Sequence, residues 1–150
     1  TPAEGAGPVG LVLMSGAIAT LLAQWGLIPR FNLGPRAATL WGIATAAFGT
    51  VLLAIAGDLH LIALGYAIAS LGFGLYRPGF TAGASLAVRR SEQGDVAGKI
   101  ASVNGAAYIF APAVGVALFN WWEPATFIMI GAALLFLIIW GRRALVMQLS

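Results

Sequence analysis

Five apolar stretches, each long enough to cross a bilayer, take up nearly all of the 150 residues and leave only short connections between them. A helix needs about 20 apolar residues to cross roughly 30 Å of hydrocarbon. Backbone polar groups in lipid must also be satisfied within the spanning structure. The stretches 8–28, 37–56, 59–88, 96–119 and 124–140 therefore predict an all-α, polytopic transmembrane bundle of five spans, one unit over 1–150. Composition points the same way. The chain is 60% hydrophobic and 9% charged, whereas a soluble domain is about half apolar and a quarter charged. Pro8 and Pro124 are expected in first helical turns, where a missing N–H costs nothing. Residues 1–7 read as a short outer loop. With no initiator Met and no basic segment ahead of the first apolar run, the chain reads as a piece of a longer protein without a signal peptide.

The connections alternate in charge. Arg30 and Arg36 lie between the first two stretches, Arg89 and Arg90 between the third and fourth with Lys99 at the entrance of the fourth helix, and Arg142 and Arg143 after the fifth. Glu4, Asp58, His60 and Glu123 fall on the other side with no Lys or Arg. Seven of the eight basic residues thus share one side, which the positive-inside rule assigns to the cytoplasm. The expected topology is N-terminus outside and C-terminus inside, with Arg30, Arg36, Arg89 and Arg90 in cytoplasmic loops. All five Trp residues, at 25, 41, 121, 122 and 140, fall near expected span ends, where an indole ring suits the boundary between water and hydrocarbon.

Several chemistries are unsupported. Cysteine is absent, and the one histidine, His60, is in a loop. No span contains Asp or Glu, so a carboxylate pair or metal site within lipid is not expected. Nor is any catalytic residue or cofactor. No phosphate-cradling glycine loop is present. The net charge of +3 is spread along span ends, which speaks for lipid headgroups rather than nucleic acid.

The polar residues inside the spans are unevenly shared. The second and fifth stretches are almost pure hydrocarbon and are expected to face lipid. The first carries Ser15, Thr20 and Gln24, and the fourth carries Ser102, Asn104 and Tyr108. In the third, Tyr66, Ser70, Phe73, Arg77, Thr81 and Ser85 recur every three or four residues and form one helical stripe. A second stripe of Gly65, Ala69, Gly72, Gly79 and Gly83 is small, a pattern that lets helices approach closely in lipid. Arg77 stands out, because a guanidinium deep in a span costs about 2.5–3.5 kcal/mol on insertion scales. Two readings stay open for it. One is a place on a pathway or gate. The other is snorkelling to headgroups, since Arg77 lies about 12 residues, roughly 18 Å, before Arg89. Pro78 and Pro112 interrupt the third and fourth stretches and are expected to bend them.

The segment "SEQGDVAGKIASVNGAAYIFAPAVGVALF" resembles the stretch joining helices ten and eleven of major facilitator superfamily transporters, nearest in look to drug:proton antiporters of the tetracycline-efflux type. The likeness rests on Glu92, Gln93, Gly94, Gly98, Ser102, Pro112 and Gly115, with Ala111 where many members have Gly. "LGFGLYRPGFTAG" is similar to the glycine-rich helix ten with its proline, here Pro78. "WGLIPRFNLGPR" is similar to the basic loop between helices eight and nine, but departs from it. Arg30 stands in the place of the usual aspartate, and the spacing to Gly34 is stretched. The resemblance implies a partial major facilitator fold, helices 8–12 of the C-terminal half, with an N-terminal half as missing partner. It implies that helices eight, ten and eleven line a cavity while nine and twelve face lipid.

The expected function is secondary active transport of a small molecule, by resemblance proton-coupled efflux across a bacterial inner membrane by alternating access. Gln24, Tyr66, Ser70, Arg77, Asn104 and Tyr108 are expected to line or gate the path. Pro78 and Pro112 would be flex points, and Gly65, Gly72, Gly79 and Gly83 packing positions. The alternative is a non-transporting membrane scaffold or assembly subunit, in which the same polar groups only bond helices together.

Overall fold

The computed structural model describes residues 2–144, and all of the regular structure among them is helical. The first span is a composite of α1 (Pro2–Leu21), a π-helical turn (Leu22–Leu27) and α2 (Ile28–Phe31). It is followed by α3 (Pro35–Ala54), α4 (Leu59–Leu86), α5 (Gln93–Trp121) and α6 (Glu123–Ala144). Five helical segments, Ala6–Phe31, Pro35–Ala54, Leu59–Leu86, Gln93–Trp121 and Pro124–Arg143, are long and apolar enough to cross a membrane. The chain is an all-α, multi-span membrane bundle.

Element boundaries follow from local chemistry. Pro35 opens α3 directly after an extended Gly34, where its missing N–H is harmless. Asp58 caps α4, its carboxylate accepting the Leu61 N–H at 3.0 Å. Asn32 closes α2 in the left-handed region, at φ 46°, which asparagine tolerates better than most residues. The π turn has a cause in Pro29. In an α-helix the proline ring would strike the carbonyl four residues back, that of Trp25. The backbone widens ahead of it, and the Ile28 N–H reaches back to the Ala23 carbonyl.

Several sequence expectations change. Residues 2–7 are not an outer loop but the start of α1, so Pro8 sits inside the helix rather than in its first turn. The expected span 8–28 extends to Phe31 for the same composite. Pro124 does fall in the first turn of α6. The second span starts at Pro35 rather than 37, and the fourth covers Gln93–Trp121 rather than 96–119.

The helices run alternately up and down. Packing contacts place α4 between α1 and α3, and α3 between α4 and α6. The α3–α4 seam is made of small residues on both sides. Gly42, Ala46 and Gly49 of α3 face Gly72, Ala69 and Gly65 of α4 in one antiparallel register. A Cβ on Gly72 would lie 2.6 Å from the Gly42 carbonyl oxygen, and one on Gly42 would lie 2.7 Å from that of Gly72. No side chain fits between these backbones. Apolar side chains gain little by leaving lipid for protein, so association in a bilayer rests on such close approach. The remaining core lies on the next face of α3, where Ile43 and Ala46 pack with Leu134 of α6 and with Tyr76, Ile130 and Ile138.

The second span was expected to face lipid. Instead α3 has the most buried residues of any span, seven of them from Ala38 to Thr50. Only its outer face, with Trp41, Phe48 and Val51, is exposed. The fourth span is the reverse case, since no described residue of α5 is buried.

Candidate functional site

The polar residues of the first and third spans meet each other. Ser15 Oγ donates to the Val12 carbonyl at 2.7 Å and lies 3.2 Å from that of Ala63 across the interface. Thr20 Oγ1 donates to the Gly16 carbonyl at 2.9 Å and approaches that of Ser70 at 3.2 Å. Gly16 leaves room for the Tyr66 ring and the Ser70 hydroxyl, since a Cβ there would sit 2.7 Å from Ser70 Oγ. Tyr66 and Ser70 are half-buried in this contact. Further along, Ala23 is wholly buried against Gly74, while its neighbour Gln24 is exposed. The polar stripe of α4 therefore divides. Tyr66 and Ser70 knit α4 to α1, and Phe73, Arg77 and Thr81 stay exposed.

Arg77 makes no ion pair among the described residues, where Asp95 pairs with Lys99 and Asp58 lies 3.8 Å from His60 Nδ1. Pro78 does not interrupt α4, which continues to Leu86. Thr81 Oγ1 donates to the Arg77 carbonyl at 2.9 Å, a bond made within α4 itself. Pro112 likewise lies within a continuous α5. Asn104 and Tyr108 stand near the middle of α5, both exposed, Tyr108 to 67%. The Ser102 hydroxyl bonds back to the Gly98 carbonyl at 2.9 Å. Near its end α5 touches α6, where Thr126 Oγ1 donates to the Gly115 carbonyl at 3.3 Å.

The six pathway candidates are thus not gathered around one chamber. Tyr66 and Ser70 lie in a helix–helix contact, and Gln24, Arg77, Asn104 and Tyr108 lie on exposed surface. The packing candidates behave differently. Gly65, Gly72 and Gly79 are buried on the α3 seam, and Gly83 continues the line with the Pro35 ring near it. Their partners Gly42, Ala46 and Gly49 were missed in the sequence. The signal was there, as small residues spaced by three or four along an otherwise apolar stretch.

The turn between α4 and α5 is self-contained. The Arg89 N–H donates to Glu92 Oε2 at 3.1 Å, and Gln93 Nε2 donates to the Ser85 carbonyl at 3.1 Å. Glu92 and Gln93, two residues that carry the family resemblance, hold this turn closed. Arg89 and Arg90 project from it, and Arg30 is exposed in the last turn of the first span. Arg36, half-buried, lines two cavities that open at the basic ends of α3, α4 and α6.

The described residues contain no cluster of His, Asp or Glu able to hold a metal ion. Comparison with known protein families, with curated proteins and with solved structures returns no match for this chain.

Proposed function

We propose that this chain is part of a secondary transporter, the C-terminal bundle of a major facilitator-type protein that carries a small molecule by alternating access. One observation carries the reading. α5 has no buried residue, yet it holds Asn104 and Tyr108 near mid-span. An amide facing hydrocarbon with no partner is costly, so this face belongs against water or a second bundle. An aqueous path between two half-transporters supplies both. On this reading Asn104, Tyr108 and Arg77 contact the path, and the missing N-terminal half covers them. Proton coupling then needs a carboxylate from that other half, because the one carboxylate within these spans, Asp95 at the start of the fourth, is paired with Lys99 and Arg keeps its charge.

The test uses the full-length protein in proteoliposomes, with Arg77→Ala, Asn104→Ala and Tyr108→Ala made singly. Substrate flux should fall at least about ten-fold in each, with expression and helix content unchanged. Normal flux in all three variants sinks the proposal. The scaffold alternative also has an observation behind it, because Ser15, Thr20, Tyr66 and Ser70 are already engaged in joining α1 to α4. It predicts that the same substitutions disturb assembly and leave no flux to lose.

A further inference from the structure

We infer that the basic ends of α3 and α6 form a binding site for one anionic glycerophospholipid. The two cavities at this end share Pro35 and Arg36, so they make a single groove that bends around the start of α3. Its outer part is open, runs past Leu40 and Trp41, and is bounded by Arg142. Its inner part, about 310 Å³, passes between α3, α4 and α6 along Ile43, Phe80 and Leu137.

The space has a structural origin. On α4 Tyr76 and Phe80 line the deep part, and beyond them the wall is Gly79, Gly83, Ala84 and Ala87, none of which has a side chain large enough to fill it. A Cβ on Gly83 would touch only Pro35, at 3.5 Å. On the other wall α6 is fixed against α3, with the position of a Gly141 Cβ 3.8 Å from Leu40 Cδ2. That contact brings Arg142 to the rim shared with Arg36. Trp41 and Trp140, 66% and 60% exposed, flank the groove and mark the level of the membrane–water boundary.

The chemistry selects the occupant. Neither arginine is matched by a carboxylate among the described residues. Asp95 is held by Lys99 at 2.7 Å, and Glu92 accepts from the Arg89 backbone at 3.1 Å. Guanidinium groups bind phosphate oxygens in a bidentate manner, and basic pockets between helices at the headgroup level suit anionic lipids. The phosphodiester sits between Arg36 and Arg142, and an acyl chain runs into the apolar inner part. A zwitterionic lipid would bring a third cation to the same rim, which disfavours it. The site does not depend on the transport reading.

Native mass spectrometry of the whole chain, released from neutral detergent with phosphatidylglycerol or phosphatidylcholine added, reads this directly. Phosphatidylglycerol should be retained and phosphatidylcholine lost. Arg36→Gln with Arg142→Gln should weaken retention roughly 30-fold, from about 1 kcal/mol per arginine. Arg89→Gln with Arg90→Gln should leave it unchanged. Gly83→Leu keeps both charges but fills the inner groove and should also abolish retention. Because that variant adds bulk where only Pro35 is near, it decides the matter if the double Gln protein loses its helix content. Equal retention of both lipids, or full retention in Gly83→Leu, overturns the proposal. So does displacement of the lipid by glycerol phosphate alone, which would make this a site for free phosphate.

Discussion

The α3–α4 seam and the surface of α5 are built from the same residue types and behave in opposite ways. Both are rich in glycine and alanine. Along the seam the glycines meet other backbones, and a methyl group at Gly42, Gly49 or Gly72 would come within 3 Å of carbonyl or amide atoms. Along α5, Gly94, Gly98, Gly105 and Gly115 have nothing within 4 Å of such a methyl. The difference teaches that a small-residue stripe is only half of a packing signal. The other half is a complementary stripe in matching register on a second helix. α3 supplies one to α4, and no described helix supplies one to α5.

Matched substitutions sharpen this contrast, and the largest effect belongs at the seam. Gly72→Ile should cost about 3 kcal/mol by overpacking, while Gly105→Ile on α5 should stay within about 0.5 kcal/mol. Unfolding in mixed micelles followed by far-ultraviolet circular dichroism compares them, and equal losses would refute the distinction. Helix starts come next. Asp58→Ala should cost about 1 kcal/mol by removing the α4 cap. Glu92→Ala, at the start of α5 but without a side-chain cap bond there, should cost less by the same measurement. A smaller effect is expected between α1 and α4, where Thr20→Val should cost about 0.6 kcal/mol, the mean for a polar contact between membrane helices. Ser102→Ala on α5 should be neutral, since its hydroxyl bonds only within its own helix. Small as well is the effect of Asp95→Asn. It breaks an exposed pair with Lys99 and should change stability by at most about 0.5 kcal/mol, an effect that added salt removes.

The number of spans, their approximate limits and the packing role of the α4 glycines were legible in the sequence, because hydrocarbon thickness and backbone hydrogen bonding leave few alternatives. The place of α3 was not. Its uniform apolarity suggested a lipid-facing helix, but in a membrane it is residue size, not polarity, that decides which face packs. Gly42, Ala46 and Gly49 carried that information and were hidden among equally apolar neighbours. The polar stripe of α4 was read as one surface. Its first half is instead taken up by α1, because Gly16 lets the Tyr66 ring and Ser70 settle there. Whether a polar residue within a span bonds a neighbouring helix or faces water depends on which helix arrives opposite it. Spacing along one strand of sequence does not contain that.

The widened turn at Leu22–Leu27 has a consequence for how the first span is wired. Upstream of it, α1 is fastened to α4 through Ser15 and Thr20; downstream, the chain carries Arg30 into the connection with α3. A five-residue hydrogen-bonded loop accommodates about one residue more than a regular helical turn. That extra residue turns Arg30 by roughly 100° about the axis from where an unbroken α-helix would place it, while Ala23 within the turn stays packed against Gly74 of α4. The bulge ahead of Pro29 thus sets the aim of a surface charge apart from the seating of the helix that bears it.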